Sequence, residues 1–447
     1  MTRKPKTRKK SKPAGKTSST TPRKRKFVAT TLLPLALAVG SALVPTTPSA
    51  APPAASRTAA VTAPAPLLQK GHPVDWWFVF KLNSTFPECG GTTRECRFGG
   101  EVQDYNKFGQ QFVFASSENE TLQQGSGCAG DTLDDPLGAT FDEVYTNSFH
   151  YVIWNDQFYD DPDIQGCSES CGAPWGHSKG LLAWNDAGEG MVMQVTTPSW
   201  PASGSNNFPR KSDGNTLGCV KDNNVLVSQH FFALKLTKDD VTQVLTALKN
   251  SSVVTDVKNP QIVDNGGPTD IQSLVSSLGV KSTSQTVTSV KLSSGIRLIS
   301  KPSKLHVPAW QLVSSVLGGV DLRTATWWAS PEVGSTTAST TIACWDSTLA
   351  KPGAVDIATS GTWAGKKFGL TGAAGANFNH AKIGVSTTAA NHYTIFGDMN
   401  QQGTLSGNNC ASSQNGRGGT FYVVDDPKLE ASVADLISGD SAPLDTR

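Results

Sequence analysis

From residue 74 onward the apolar positions fall in short runs cut by turn residues, and the runs are too brief and too rich in aromatic and β-branched side chains for helices. VDWWFVFKL (74–82), QQFVFAS (110–116), SFHYVIWND (148–156), GLLAW (180–184) and EGMVMQVTT (189–197) all read as strands. HFFALKLTKDDVTQVLTALKN (230–250) starts as a strand and changes period at Thr237, after which Val241, Val244, Leu245 and Leu248 share one face. Thr237 is expected to cap that helix. The second part repeats the pattern, with strands over 288–301, 323–330, 382–386 and 392–398 and helices over 269–279, 309–319 and 427–439. The expected class is α/β in the broad sense, a mixed α+β fold.

Before residue 70 the pattern is different. Residues 1–26 carry twelve Lys and Arg and no acid, and FVATTLLPLALAVGSALVP (27–45) follows, leading into TTPSAAPPAAS. A basic start, an apolar stretch and small residues in this order read as a secretory signal peptide over 1–50. Residues 51–70 are Ala/Pro-rich and read as a linker. The expected product is a secreted protein, with no membrane span in the mature form. No apolar run beyond residue 70 approaches the roughly 18–20 residues that cross a bilayer. The formal charge of +2 is misleading, because without the first 26 residues 27 basic side chains face 37 acidic ones.

All eight cysteines lie in the exported part, and an even number there favours disulfides. Cys89 with Cys96 and Cys167 with Cys171 are close enough along the chain to be considered as pairs. CSESC (167–171) has no second Cys/His pair to complete a zinc site, so no metal is expected.

The chemistry concentrates in one motif used twice. GHSKG (176–180) and NHAKI (379–383) each place a histidine two residues before a lysine, after a turn and before a strand. Residues two apart on a strand point to the same side, so His177 and Lys179 share a face, as do His380 and Lys382. A motif recurring 203 residues later suggests two similar halves, over 71–250 and 251–447. If they meet about a twofold axis, two imidazoles and two ammonium groups converge, a set suited to a phosphodiester. One neutral histidine attacks phosphorus, the other donates a proton to the leaving oxygen, and the lysines balance the phosphate charge. The other five histidines have structural readings.

VDWWFVFKL, WNDQ (154–157), GHSKGLLAW (176–184), SKPSKLHVPAW (300–310), NHAKIGVS (379–386), GDMNQQG (397–403) and RGGT (417–420) occur in this order. In that order and content the chain resembles the deoxyribonuclease II family from about Val74 to Phe421. The family is similar in fold to the phospholipase D superfamily, so the resemblance implies a pseudo-dimer of two α/β halves sharing one active site. It further implies an acid-favouring, metal-independent endonuclease without a cofactor, leaving 3′-phosphate and 5′-hydroxyl ends on DNA. Its catalytic residues would be His177, Lys179, His380 and Lys382, and analogy with the superfamily points to His177 as the attacking one. Asn400 and Asp398 of GDMN are implied in substrate binding, as is Ser199, which stands where the family often has Asn.

Two other classes use the same residues. A phospholipase D-like enzyme acting on lipid head groups would need a broad apolar rim, whereas GSNNFPRKSDGNTLG (204–218) and QQGTLSGNNCASSQNGRGG (401–419) are polar. A non-catalytic secreted binding module would tolerate loss of a His or Lys, and all four are present. The acidic body argues against nucleic acid, since affinity comes from neutralising phosphates. A focused basic groove can nonetheless coexist with net negative charge. DNA is the expected substrate, and no stable protein partner is implied.

Overall fold

The computed structural model describes residues 62–446 apart from 88, 90–110, 160, 165–169 and 211–225. The signal-peptide reading lies outside the described residues. The segment read as a linker is described from residue 62, and there it is part of the fold. Pro64, Ala65, Pro66 and Leu67 are buried, and β1 (Leu67–Gln69) pairs with β2 (His72–Pro73).

The first large sheet is built from β3 (Trp76–Lys81), β4 (Phe112–Ser116), β5 (Asn119–Gln124), β6 (His150–Asn155), β7 (Lys179–Trp184), β8 (Gly190–Val195), β9 (Gln229–Leu236) and β10 (Val263–Asp264). Its spatial order is β10-β6-β7-β8-β9-β3-β4-β5. Helix α1 (Pro136–Thr146) precedes β6, α2 (Lys238–Asn250) follows β9, and α3 (Thr269–Val275) follows β10. Asp135 caps α1 by accepting from Gly138 N, with Pro136 at the first helical position. Thr237 caps α2 as expected, in a reciprocal box with Asp240.

The second sheet contains β11 (Thr288–Lys291), β12 (Arg297–Lys301), β13 (Leu322–Ala325), β14 (Val355–Ile357), β17 (Ile383–Ser386), β18 (Tyr393–Gly397) and β19 (Gly419–Asp425), with the hairpin β15 (Ser360–Trp363) and β16 (Lys366–Gly369) beside it. The segment 288–301, read as one strand, is two strands around a turn at Ser293–Gly295. Helix α4 (Ala309–Val316) precedes β13 and α5 (Pro427–Leu436) follows β19.

Six strands in each sheet occur in matching order: β6-β7-β8-β9-β3-β4 in the first and β13-β17-β18-β19-β12-β11 in the second. All neighbours within both sets are antiparallel. In both, a helix enters before the first of these strands and another leaves after the fourth.

The two sheets meet through aromatic side chains. Phe396 stands 4.5 Å from both Phe78 and Phe232 between ring centroids, and Phe232 stands 5.5 Å from Tyr422. Each fully buried ring of this kind contributes about 1.5–3 kcal/mol by leaving water. Both lysine-bearing strands are fitted to a tryptophan. A Cβ at Gly180 would stand 2.3 Å from the Trp154 ring, and one at Gly384 would stand 2.7 Å from the Trp310 ring. The glycine after Lys179 and the one shortly after Lys382 are therefore required by close packing directly beneath the motif.

Cys89 bonds Cys128, which corrects the pairing with Cys96. Sheet register explains it: Lys81 at the end of β3 lies opposite Phe112, and Gln124 at the end of β5 lies opposite Val113. The chain leaving β5 thus returns to where the chain leaves β3. Cys344 bonds Cys410, and Cys171 is also disulfide-bonded. Cys167, considered as its partner, lies outside the described residues. No helix among them is long and apolar enough to cross a membrane.

Candidate active site

Lys179 opens β7 and Lys382 immediately precedes β17, so each histidine sits in the turn ahead of its strand. Both histidines are almost fully buried, and their rings lie 6.5 Å apart between centroids at 67°. That spacing leaves room for one phosphate, given approach distances of about 3–3.5 Å on each side.

Each ring is oriented by the opposite sheet. His177 Nδ1 donates to the main-chain oxygen of Asp398 at 2.7 Å, just past β18. His380 Nδ1 donates to the main-chain oxygen of Thr196 at 2.8 Å, just past β8. The backbone is exchanged in the same way, since His177 N–H donates to Gly418 O at 2.8 Å and His380 N–H to Ser228 O at 2.7 Å. With Nδ1 committed to a carbonyl, Nε2 of each ring is the nitrogen free to act.

The charges beside the rings are unequal. Lys179 Nζ donates to Asp156 Oδ1 at 2.6 Å, and Arg417 Nη2 donates to Asp156 Oδ2 at 2.9 Å. Burial alone would raise the Asp156 carboxyl, but Lys179, His177 and Arg417 outweigh it and hold the group well below the usual carboxylate range. Lys382 has no carboxylate within ion-pair distance among the described residues. Its Nζ donates to His380 O at 2.5 Å, and burial together with the Lys179 charge draws it well below an ordinary lysine. Extending the register Ala325↔Ile383 by one sets Thr326 opposite Lys382, so the place matching Asp156 belongs to Trp327. Its ring meets His380 edge-on at 5.0 Å.

Burial draws both imidazoles well below the ordinary histidine range. At His177 the charges of Lys179, Arg417 and Lys382 add to the shift and the Asp156 carboxylate opposes it, whereas at His380 the charges of Lys382, Lys179 and His177 add to it and the bond to Thr196 opposes it.

Asp398 lies in the same cluster, with Oδ2 accepting from Thr420 N at 2.8 Å and Oγ1 at 2.6 Å, and Oδ1 from Gln194 Nε2 at 3.1 Å. Burial raises its carboxyl to about 6, the Thr420 bonds working against the rise. Asn400 donates from Nδ2 to Gln402 Oε1 at 2.9 Å, and its Oδ1 is buried without a partner among the described residues. Ser199 has a left-handed φ of 61°, and its N–H donates to Gln157 O at 2.8 Å. No hydrogen bond joins Ser199 or Asn400 to the four His and Lys side chains among the described residues. Thus the fold brings together His177, Lys179, His380, Lys382 and Asp398, with Asn400 following Asp398 after β18 and Ser199 following Thr196 after β8.

Sequence reasoning passed over Asp156 and Arg417. The signal was present, since WNDQ and RGGT are the segments that carry them. His230, read as structural, closes a relay: its Nδ1 accepts from Lys382 N at 3.1 Å, and its Nε2 faces Gln194 Oε1 at 3.4 Å. Gln194 in turn reaches Asp398.

A match to the family described as Deoxyribonuclease II spans residues 66–439. The chain belongs to the deoxyribonuclease II family. It is accordingly a hydrolase acting on DNA phosphodiester bonds, which decides for DNA over a lipid head group. No curated protein matches the chain. The deoxyribonuclease II match covers both His-x-Lys motifs together with Asp156, Asp398 and Arg417.

Proposed function

We propose that the protein is a secreted, metal-independent, acid-favouring endodeoxyribonuclease, a phospholipase D-like pseudo-dimer whose two halves share one paired-histidine centre. The observation that carries this reading is the reciprocal exchange in which each half orients the other's histidine, leaving two Nε2 atoms for one phosphate.

In the first step one Nε2 lone pair attacks phosphorus and the P–O5′ bond breaks. The other histidine, protonated, gives its proton to O5′, releasing a 5′-hydroxyl end. In the second step that histidine removes a proton from water, which attacks the phosphohistidine; the P–N bond breaks and a 3′-phosphate remains. Lys382, with no carboxylate partner among the described residues, balances charge on the non-bridging oxygens, with Lys179 beside it. These ammonium groups supply the neutralisation that a divalent ion supplies in other nucleases. The charge distribution favours the proton on His177, which gives His380 the attacking role, opposite to the superfamily analogy.

Purified protein incubated with plasmid DNA and EDTA from about pH 4 to 8, with end-group analysis, tests the reading. Cleavage to 3′-phosphate ends in chelator is expected, lost in His177→Ala and in His380→Ala about as fully singly as together. Cleavage that stops in EDTA and returns with Mg²⁺, or near-full activity in either variant, would overturn it. Mapping the trapped phosphohistidine to one peptide assigns the attacking residue.

A further inference from the structure

Among the described residues two buried lysines lie outside the His-x-Lys motifs, and they occupy matching places. Lys81 ends β3 and Lys301 ends β12, the strands that correspond between the two sheets. Lys81 lies opposite Gln229 at the start of β9, and Lys301 lies opposite Gly419 at the start of β19. Lys81 is 3% exposed and Lys301 fully buried.

Their ammonium groups point at backbone. Lys81 Nζ donates to Val227 O at 2.6 Å. The next carbonyl, that of Ser228, receives the His380 N–H. Lys301 Nζ donates to Arg417 O at 2.7 Å, with Asn415 O at 2.9 Å and Leu305 O at 2.7 Å. The next carbonyl after Arg417, that of Gly418, receives the His177 N–H. In each half, then, a lysine holds one peptide and the adjacent peptide holds the histidine of the opposite half.

We propose that Lys81 and Lys301 are a pseudo-symmetric pair of positioning residues, Lys81 setting His380 and Lys301 setting His177 across the junction of the halves. Burying an ammonium group is unfavourable unless its hydrogens are all engaged, and apolar residues would fill strand ends of this kind more stably. Such a cost incurred twice, at equivalent places, is explained by what the carbonyls next to the held peptides do. The lysine charge polarises the held peptide and restrains the turn, so the histidine backbone is fixed before substrate arrives. Misplacement of a reacting group by about 1 Å costs on the order of 10²-fold in rate, and a loosened turn gives displacements of that size.

The inference rests on the paired-histidine reading, and the test separates the two. Lys81→Met and Lys301→Met keep the length of the stem and remove the charge. Kinetics on plasmid DNA should show kcat reduced roughly 10–100-fold with KM unchanged within about twofold, because chemistry rather than binding is disturbed. Amide hydrogen exchange is then followed on ¹⁵N-histidine-labelled protein, with the two amide signals assigned through His177→Ala and His380→Ala. The His177 amide should exchange faster only in Lys301→Met, and the His380 amide only in Lys81→Met. If the methionine variants do not fold, Lys81→Gln and Lys301→Gln, which keep a neutral N–H donor group, carry the same paired readout. Full kcat in folded variants, or equal acceleration of both amides by either one, overturns the inference. Inactive histidine variants beside fully active lysine variants would sink the positioning role and leave the paired-histidine reading standing; active histidine variants would sink that reading itself.

Discussion

Asp156→Asn removes the carboxylate that receives both Lys179 and Arg417 while keeping the shape of the side chain. The amide that replaces it presents one donor toward a cation, at a position where Lys179 Nζ now sits 2.6 Å from Oδ1 and Arg417 Nη2 2.9 Å from Oδ2. All three groups are buried or nearly so, and breaking such a pair by removing one partner costs about 3–5 kcal/mol. The compact unit runs from Ala59 to Arg447. At about 2.1 cal/mol/K per residue its unfolding entropy is about 0.8 kcal/mol/K, so the midpoint should fall by about 4–6 °C. The sign with pH follows from the depressed carboxyl. Its stabilisation is present above the ordinary carboxylate value near 3.9 and is lost only as pH falls through the still lower folded value. The deficit should therefore be the same at pH 5 and pH 7 when followed by thermal unfolding. Asp156→Leu combined with Lys179→Met and Arg417→Met should recover most of the loss, because no uncompensated charge remains. A midpoint within about 1 °C of wild type in Asp156→Asn, or a triple variant as unstable as the single one, would refute the reasoning.

The kcat/KM profile should be bell-shaped with its maximum below the ordinary histidine value of about 6.5, since burial draws both imidazoles down and the productive state holds one proton between them; a rate still rising into alkaline pH would contradict this. Glu143 is pushed up to about 7 by burial, so its favourable contribution is complete below about 4.5 and is lost as pH rises through about 7. Glu143→Gln should therefore raise stability to denaturant at pH 8 by on the order of 1 kcal/mol, since solvent at this half-buried group screens much of the full value, and leave it unchanged at pH 4; an equal gain at both would point to some other cause. Cys344 and Cys410 close a separation of 66 residues, so replacing both by serine should cost about 4 kcal/mol in denaturant unfolding, and a loss below about 1 kcal/mol would show that the unfolded chain is not being constrained.

What the chain determined by itself is what depends on neighbours in sequence. Alternation and period located β3, β6, β8 and β9 and the change to helix at Thr237, because side-chain direction repeats every two or every 3.6 residues whatever else is nearby. The His-x-Lys pairs were legible for the same reason, each being a local pattern at the entry to one strand. Less regular segments escaped. In GTFYVVD, which forms β19 between β12 and β18, the apolar stretch FYVV shows no alternation, since both faces of the strand are buried. α1 was missed although Asp135 and Pro136 announce its start.

Only the tertiary structure decided which groups meet. That Asp398 O orients His177 while Thr196 O orients His380, separations of 221 and 184 residues, follows from how two sheets face each other, and no local pattern encodes it. The same holds for Asp156, joined to Arg417 across 261 residues, and for Lys81 and Lys301, whose equivalence appears only when their strands are set side by side. The Cys89–Cys128 bond belongs here too, since sheet register rather than nearness along the chain brings those sulfurs together. Short-range pattern specifies an element because backbone geometry repeats; a site assembled from two halves depends on register and packing, which are settled only when the whole core closes.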